Sequence, residues 1–495
     1  MSKQRAALPN LHLDPDMPVP LHQQLYQAVR GAILRGQLAS GTRLPATREL
    51  ARELGVARNT VMNAYEQLLA EGYLEGRSGS GTYVNRVLPA EMLQVQSTHS
   101  PPLQQGQGRT LSRRGALLSA TPASASRDSG KPIAFRPGLP ALDTFPFDRW
   151  ARLMARHWRQ PPIDLLSYGS PAGYQPLREA LAEHLRAVRG VRCAPDQVIV
   201  VSGSQQGLDL AARVLLDPGD AVWLEDPGYM GARGALTSAG AKIVPVPVDA
   251  EGLDVRAAIA RSPTARLAYV TPSHQFPLGV TMSLPRRLAL LDWAHRAGAW
   301  VLEDDYDSEY RYTGRPLPAL QGLDGDNRTV YLGTLSKTLF PSLRLGYVVV
   351  PADLVPAFVA AKALADRHAP TVEQAVLADF IVAGDFDGHI RRTRKLYAER
   401  QAALVDAAAK HLTGLLDVRP AEAGMHLVGY LPQGIDDRAI ARQAAAGGVE
   451  APPLSAYALA PQPLKGLMLG YAAFSHAEIE SGIRRLAAVL RSRSA

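Results

Sequence analysis

The chain has 495 residues, more than a single hydrophobic core accommodates, so two or three domains are expected. Hydrophobic residues make up 46% and charged residues 20%, the balance of a soluble globular protein and not of a disordered or membrane-embedded one. A net charge of +8 admits nucleic acid as a partner without requiring it, and a single cysteine, Cys193, excludes an intrachain disulfide.

The N-terminal stretch MSKQRAALPNLHLDPD lacks the apolar segment of a signal peptide, and no apolar run is long enough to span a membrane. These features and the lone cysteine, read as a buried small residue, predict a cytoplasmic protein with no membrane partner.

Three helices are predicted within residues 17–85. Leu21, Leu25, Val29 and Ile33 recur at intervals of four, one face of a helix. ATRELARELG makes a second helix ended by Gly55, and Val56 and Ala57 form a turn. RNTVMNAYEQLLAEG makes a third, with Val61, Ala64, Tyr65, Leu68 and Leu69 on its buried face. Its N-terminal end presents Arg58, Asn59 and Thr60. A helix-turn-helix places such residues in the major groove, where Arg and Asn read base edges. YLEGRSGSGTYV follows as two strands around a Gly/Ser tip, a β-wing in which Gly79 and Gly81 let the backbone approach a phosphate or the minor groove. Ten basic and seven acidic residues across 1–86 do not by themselves separate a DNA reader from a plain three-helix bundle.

Residues 87–132 are rich in Ser, Pro, Gln, Gly and Ala and carry few large apolar side chains, which predicts a mobile linker. Arg109, Arg113 and Arg114 within it are candidate phosphate contacts, set against plain solvation. From residue 133 onward QVIVVSG, AVWLED, LAYVTPS, AWVLEDD and TVYLG are short apolar runs separated by amphipathic stretches such as SLPRRLALLDWAHRAG. That alternation predicts an α/β domain around a largely parallel sheet.

Four groups in this domain converge on one chemistry. SGSQQGLDL opens a helix directly after a strand, and the unpaired N–H groups there, with Ser204 and Gln205, suit a phosphate that Arg344 could clamp. Asp304 and Tyr306 stand just past a strand end, where α/β ligand sites lie. Tyr229, in EDPGYMG, offers an aromatic face. Lys337, preceded by Ser336 in GTLSKTLFPSLRLGYVV, offers an amine that traps an aldehyde as an imine. A phosphate, a basic ring nitrogen needing an anion, a flat ring and an aldehyde together describe pyridoxal 5′-phosphate (PLP).

Residues 17–85 closely resemble the winged helix of the GntR family. Carried onto this sequence, the family's DNA contacts fall on Arg43, Thr47, Arg48, Arg58, Asn59, Thr60 and Gly81. The whole chain resembles the MocR/GabR subfamily, which fuses such a winged helix through a linker to a fold-type-I, aminotransferase-like domain. PSHQFPLGVTMSLPRRLALL and LEDDYDSEYRY carry that likeness. The resemblance implies a DNA-binding domain over 1–86, a linker over 87–132, and a PLP-binding effector and dimerisation domain over 133–495 with a smaller C-terminal α+β subdomain. It implies Lys337 as the imine lysine, Asp304 as partner of the ring nitrogen, Tyr306 near the phenolic oxygen and Tyr229 stacked on the ring. It places Ser204, Gln205 and Arg344 at the phosphate. It also implies a homodimer on a double-stranded operator with two half-sites, responding to a small effector: PLP itself, an amino acid or an amine.

Two positions depart from the aminotransferase pattern. Phe276 stands where an asparagine normally contacts the cofactor, so His274 or Gln275 is expected to substitute. Met468 stands in the apparent place of the arginine that holds a substrate carboxylate, with Arg136 as a candidate replacement. The expectation is therefore a transcriptional regulator with no assigned catalytic residue and no metal site, the alternative being an active aminotransferase tethered to a DNA reader.

Overall fold

Apolar residues one helical turn apart build α1 (Leu21–Leu34), which buries Leu25, Val29, Ala32 and Ile33. α2 (Thr47–Leu54) ends at Gly55, whose φ of +66° is the left-handed conformation that glycine adopts without a Cβ clash. α3 (Arg58–Ala70) buries Val61, Ala64, Tyr65 and Leu68. Leu69, expected on the same face, is 37% exposed; it lies about 100° around the helix from Leu68. β1 (Leu74–Arg77) and β2 (Gly81–Val84) pair antiparallel, with Arg77 opposite Gly81. Leu25, Val29, Leu50, Val61, Leu68 and Val84 share one core. The computed structural model describes residues 13–77, 80–86, 111–120, 134–314, 317–461 and 465–492, and the chain divides into units Met1–Thr110 and Leu111–Ala495.

Within the stretch read as linker, Arg113–Ala120 is a helix with no buried residue. Its run of Arg, Ala and Leu has high helix propensity, which the composition of the whole stretch conceals. Arg113 and Arg114 begin that helix; Arg109 lies outside the described residues.

The second unit is organised by an eight-stranded sheet. Its strands are β3 (Val198–Val201), β4 (Ala221–Asp226), β5 (Lys242–Asp249), β6 (Gly252–Leu253), β7 (Leu267–Val270), β8 (Trp300–Asp305), β9 (Thr329–Thr334) and β10 (Gly346–Val349). Their order is β3-β10-β9-β8-β7-β4-β5-β6. The contiguous set β5-β4-β7-β8-β9 is parallel, and β10 runs antiparallel to both β9 and β3. β3, β7, β9 and β10 are buried along their whole length, as strands covered on both faces must be. The helices Ser204–Leu215 and Met230–Ser238 pack on one another, and residues of both share a core with β3, β4 and β7.

The smaller subdomain carries an antiparallel sheet of β11 (Asp417–Val418), β12 (His426–Tyr430) and β13 (Gly466–Gly470). The long helix Asp385–His411 packs against the helix His476–Arg491. Tyr331 and Tyr347 of the large sheet share a core with Tyr397, Leu469 and Ile483, so the two sheets are joined by continuous apolar packing. Among the described residues no helix is long and apolar enough to cross a membrane. Cys193 is buried.

Candidate cofactor site and nucleic-acid interface

Apart from His274 and Gln275, the cofactor-site candidates gather in one cavity at the end of the large sheet. Strand alternation in β8 sorts three consecutive acids onto opposite faces. Glu303 accepts from the backbone N–H of Leu320 and Gln321 at 2.8 Å, and Asp305 pairs with Arg189 at 2.8 Å. Asp304, between them, faces the other way and accepts from the Tyr269 hydroxyl at 2.7 Å through Oδ2. Its Oδ1 is buried with no partner. Burial pushes the Asp304 carboxyl up to about 7; the Tyr269 hydrogen bond and Lys337 oppose that rise, and Asp305 and Asp307 add to it.

Lys337 lies between β9 and β10, and its ammonium donates to the Gly138 carbonyl at 2.9 Å. Gly138 has φ +77°, a conformation that favours glycine, and a Cβ there would lie 2.7 Å from Lys337 Nζ, so the lysine would have to shift to admit one. Arg344 donates to the Ser202 carbonyl at 2.8 Å. The residue before the helix Ser204–Leu215 is Gly203, at φ +89°, and a Cβ on it would come within 2.9 Å of the Arg344 guanidinium. The helix N-terminus and the guanidinium therefore bound one small space, a cradle suited to an anion. Ser204, Gln205, Ser336 and Arg344 all line the cavity.

Tyr229, Phe276 and Tyr306 supply its aromatic walls. The rings of Tyr229 and Phe276 meet edge to face at 5.6 Å, as do those of Phe276 and Tyr306 at 6.0 Å. His274 and Gln275 do not line the cavity. Gln275 donates to Glu225, the Pro227 carbonyl and the Phe276 carbonyl. His274 is buried behind Tyr306, its Nδ1 3.0 Å from the Tyr306 hydroxyl. Arg136 is committed to Glu450 at 2.5 Å, and Met468 is fully buried opposite Val428 in β12 and β13; neither is a wall residue.

Sequence reasoning missed several wall residues: Gly138, Tyr269, Thr271, Asp307, Met425 and His426. Tyr269 left a faint signal as the lone hydroxyl in the apolar run LAYV. His426, from β12, left none; its imidazole is buried and lowered to about 3, chiefly by desolvation.

The residues present fit PLP. The buried carboxyl with an unpartnered oxygen matches a protonated pyridine nitrogen, the helix N-terminus beside Arg344 matches a phosphate, and Lys337 opens onto the same cavity. Bound there, PLP supplies an aldehyde carbon for amines and an electron-withdrawing ring.

In the first unit Thr47 and Arg48 are the first residues of α2, and Arg58, Asn59 and Thr60 the first of α3. Arg48, Arg58 and Asn59 are exposed; Arg43, Thr47 and Thr60 are half-buried. Arg43 bridges to Tyr83 in the wing, and a Cβ on Gly81 would lie 3.1 Å from its Nε. The Tyr65 hydroxyl of α3 donates to the Pro45 carbonyl at 3.1 Å, tying the segment before α2 to α3. Arg77 stacks on Tyr83, 4.5 Å from the ring centroid. Gly79 lies outside the described residues.

Known proteins divide along the same boundary. Residues 140–486 match the class I and II aminotransferase family, and residues 21–84 match the gntR family of bacterial regulatory proteins. The chain is 47% identical to the probable rhizopine catabolism regulatory protein MocR of Rhizobium meliloti, over 96% of this chain and 95% of that one. It is 32% identical to the pyridoxine biosynthesis transcriptional regulator PdxR of Corynebacterium glutamicum, over 84% of each. Its structure is similar to that of LysN, an α-aminoadipate aminotransferase from Thermus thermophilus crystallised with N-(5′-phosphopyridoxyl)-L-leucine. The TM-score is 0.70 and the identity 33%, covering 76% of this chain and 97% of that one. Since the likeness to MocR spans both the DNA-reading unit and the aminotransferase-like unit, the chain belongs to the MocR subfamily of GntR transcriptional regulators and depends on PLP.

Proposed function

We propose that the larger unit senses PLP, or an amino compound that reaches the PLP site, and that this changes how a homodimer holds two winged helices on a two-half-site operator. The observation that carries the reading is the supply of cations. Among the described residues, the only lysine or arginine side chains lining the cavity are Lys337 and Arg344, and both face cofactor groups in this reading. Arg136 is held by Glu450. An amino-acid carboxylate thus meets no arginine of its own, which weakens the case for routine turnover. Lys337, Asp304 and Tyr306 in one cavity favour a second reading, an aminotransferase tethered to a DNA reader.

The test compares wild type with Lys337→Ala by visible absorbance, by operator binding with and without PLP, and by keto-acid product formation. A cofactor band lost in the variant, with operator affinity moved by PLP about 5–150-fold in wild type, supports sensing. A band with steady product formation and no effect on DNA supports the second reading. PLP shifts the DNA equilibrium only if the two states of the dimer bind it with different affinity.

A further inference from the structure

Beside Tyr306 the fold buries a carboxyl–imidazole pair, of which Asp307 reaches the cavity wall and His274 does not. His274 follows β7, and Asp307 follows β8 by two residues; both side chains are 1% exposed. His274 Nδ1 lies 3.0 Å from Asp307 Oδ2 and 3.0 Å from the Tyr306 hydroxyl. His274 Nε2 and Asp307 Oδ1 are buried without partners. Two glycines clear the space for the imidazole: a Cβ on Gly279 would lie 3.2 Å from its Nε2, and one on Gly424 2.0 Å from its Cε1. The neighbouring His426 ring, 5.2 Å away, spends Nε2 on the Pro277 carbonyl.

A single nitrogen cannot donate and accept at once. When Nδ1 carries the proton, the Asp307 carboxylate takes it in a charge-assisted bond. The Tyr306 oxygen then lies beside an N–H, and its own proton must point elsewhere, towards the cavity that Tyr306 lines. When Nδ1 is bare, the Tyr306 hydroxyl donates back to it, and the buried Asp307 carboxylate is left facing a lone pair, which is costly. Asp307 therefore selects the first arrangement.

We propose that Asp307, acting through His274, holds the Tyr306 hydroxyl as a hydrogen-bond donor into the cofactor cavity, so that His274 and Asp307 are positioning residues for the oxygen PLP presents there. This rests on the reading that Tyr306 faces the phenolic oxygen of PLP. The surrounding charges keep Tyr306 a neutral donor: burial first, then Asp307, Asp304, Glu225 and Asp305, push its phenol well above the ordinary range. Lys337, from the loop after β9, and the neutral His426, from β12, line the same cavity as Tyr306, and Tyr312 and Tyr471 stand near Asp307.

The experiment is a pH titration of the visible absorbance of PLP-loaded protein. A donor to the phenolic oxygen favours its anionic form, so losing the donor raises the midpoint, by about 1–2 pH units for a hydrogen bond to a charged group. Tyr306→Phe should show that rise. Asp307→Asn, nearly the same size, should show most of it, because Nδ1 can now accept from Tyr306. In Asp307→Asn/His274→Phe the accepting nitrogen is gone, and the midpoint should return towards wild type. If Tyr306→Phe moves the midpoint and Asp307→Asn does not, or if the double variant only adds to the shift, the positioning role is overturned and the Tyr306 reading stands. If Tyr306→Phe leaves the midpoint in place, the Tyr306 reading fails and takes this proposal with it.

Discussion

Replacing Asp304 by asparagine should stabilise the cofactor-free protein while weakening its hold on PLP. The Asp304 carboxyl sits at about 7 against an ordinary 3.8. A carboxyl raised in the folded state is held protonated there, so stability falls as pH climbs from about 3.8 to about 7, and the full cost stands above that. The rise corresponds to at most about 4 kcal/mol. Asparagine keeps an oxygen for the Tyr269 hydroxyl and removes the charge. Thermal unfolding of the cofactor-free variant should therefore occur at higher temperature than wild type at pH 8, and the gap should narrow at pH 5. The same change deprives the ring nitrogen of its anion. PLP affinity should fall by about 2–3 kcal/mol, or roughly 30–150-fold in Kd, measured by absorbance titration. A variant no more stable at pH 8, with Kd within about threefold of wild type, would refute the pairing.

Gly138→Ala should lower PLP loading, because the added Cβ would press on Lys337 Nζ at 2.7 Å. Gly298→Ala, also at positive φ but with open space around it, should leave the absorbance per chain unchanged and so isolates the contact from the backbone strain. Arg344→Ala should weaken PLP by about 1.5–3 kcal/mol and leave pyridoxal, which lacks the phosphate, bound as in wild type; parallel titrations decide it, and equal losses would remove Arg344 from the phosphate. Arg58→Ala should cost about 1–3 kcal/mol at the specific operator and less on random DNA. Equal weakening on both, read by gel shift or anisotropy, would make Arg58 a phosphate contact.

The winged helix was legible because its signals are local. Apolar spacing, Gly55 at a helix end and a Gly/Ser-rich tip are each written within a few residues. Five strands of the large sheet were legible for the same reason: β3, β4, β7, β8 and β9 are apolar runs of the right length. The antiparallel run of β10 was not, since GYVV reads alike in either direction and only its neighbours β3 and β9 set its sense. The helix Arg113–Ala120 was hidden by averaging composition over a longer stretch. His274 was expected at the cofactor and stands one layer behind it, because the approach of Gly279 and Gly424, the second 150 residues away, sets where its ring fits.

Sequence alone determined the residue types and the order in which they meet the sheet: a lysine and an arginine flanking a strand end, an aspartate at the tip of another, small residues opening a helix. Tertiary structure decided which of them share a cavity and what stands behind each. Lys337 meets a carbonyl 199 residues earlier in the chain, and Asp304 meets a hydroxyl 35 residues earlier on a neighbouring strand. Side-chain periodicity is a property of a few successive peptide units, whereas these contacts depend on how separate segments cross, and that is settled only when the apolar faces of both sheets are buried together.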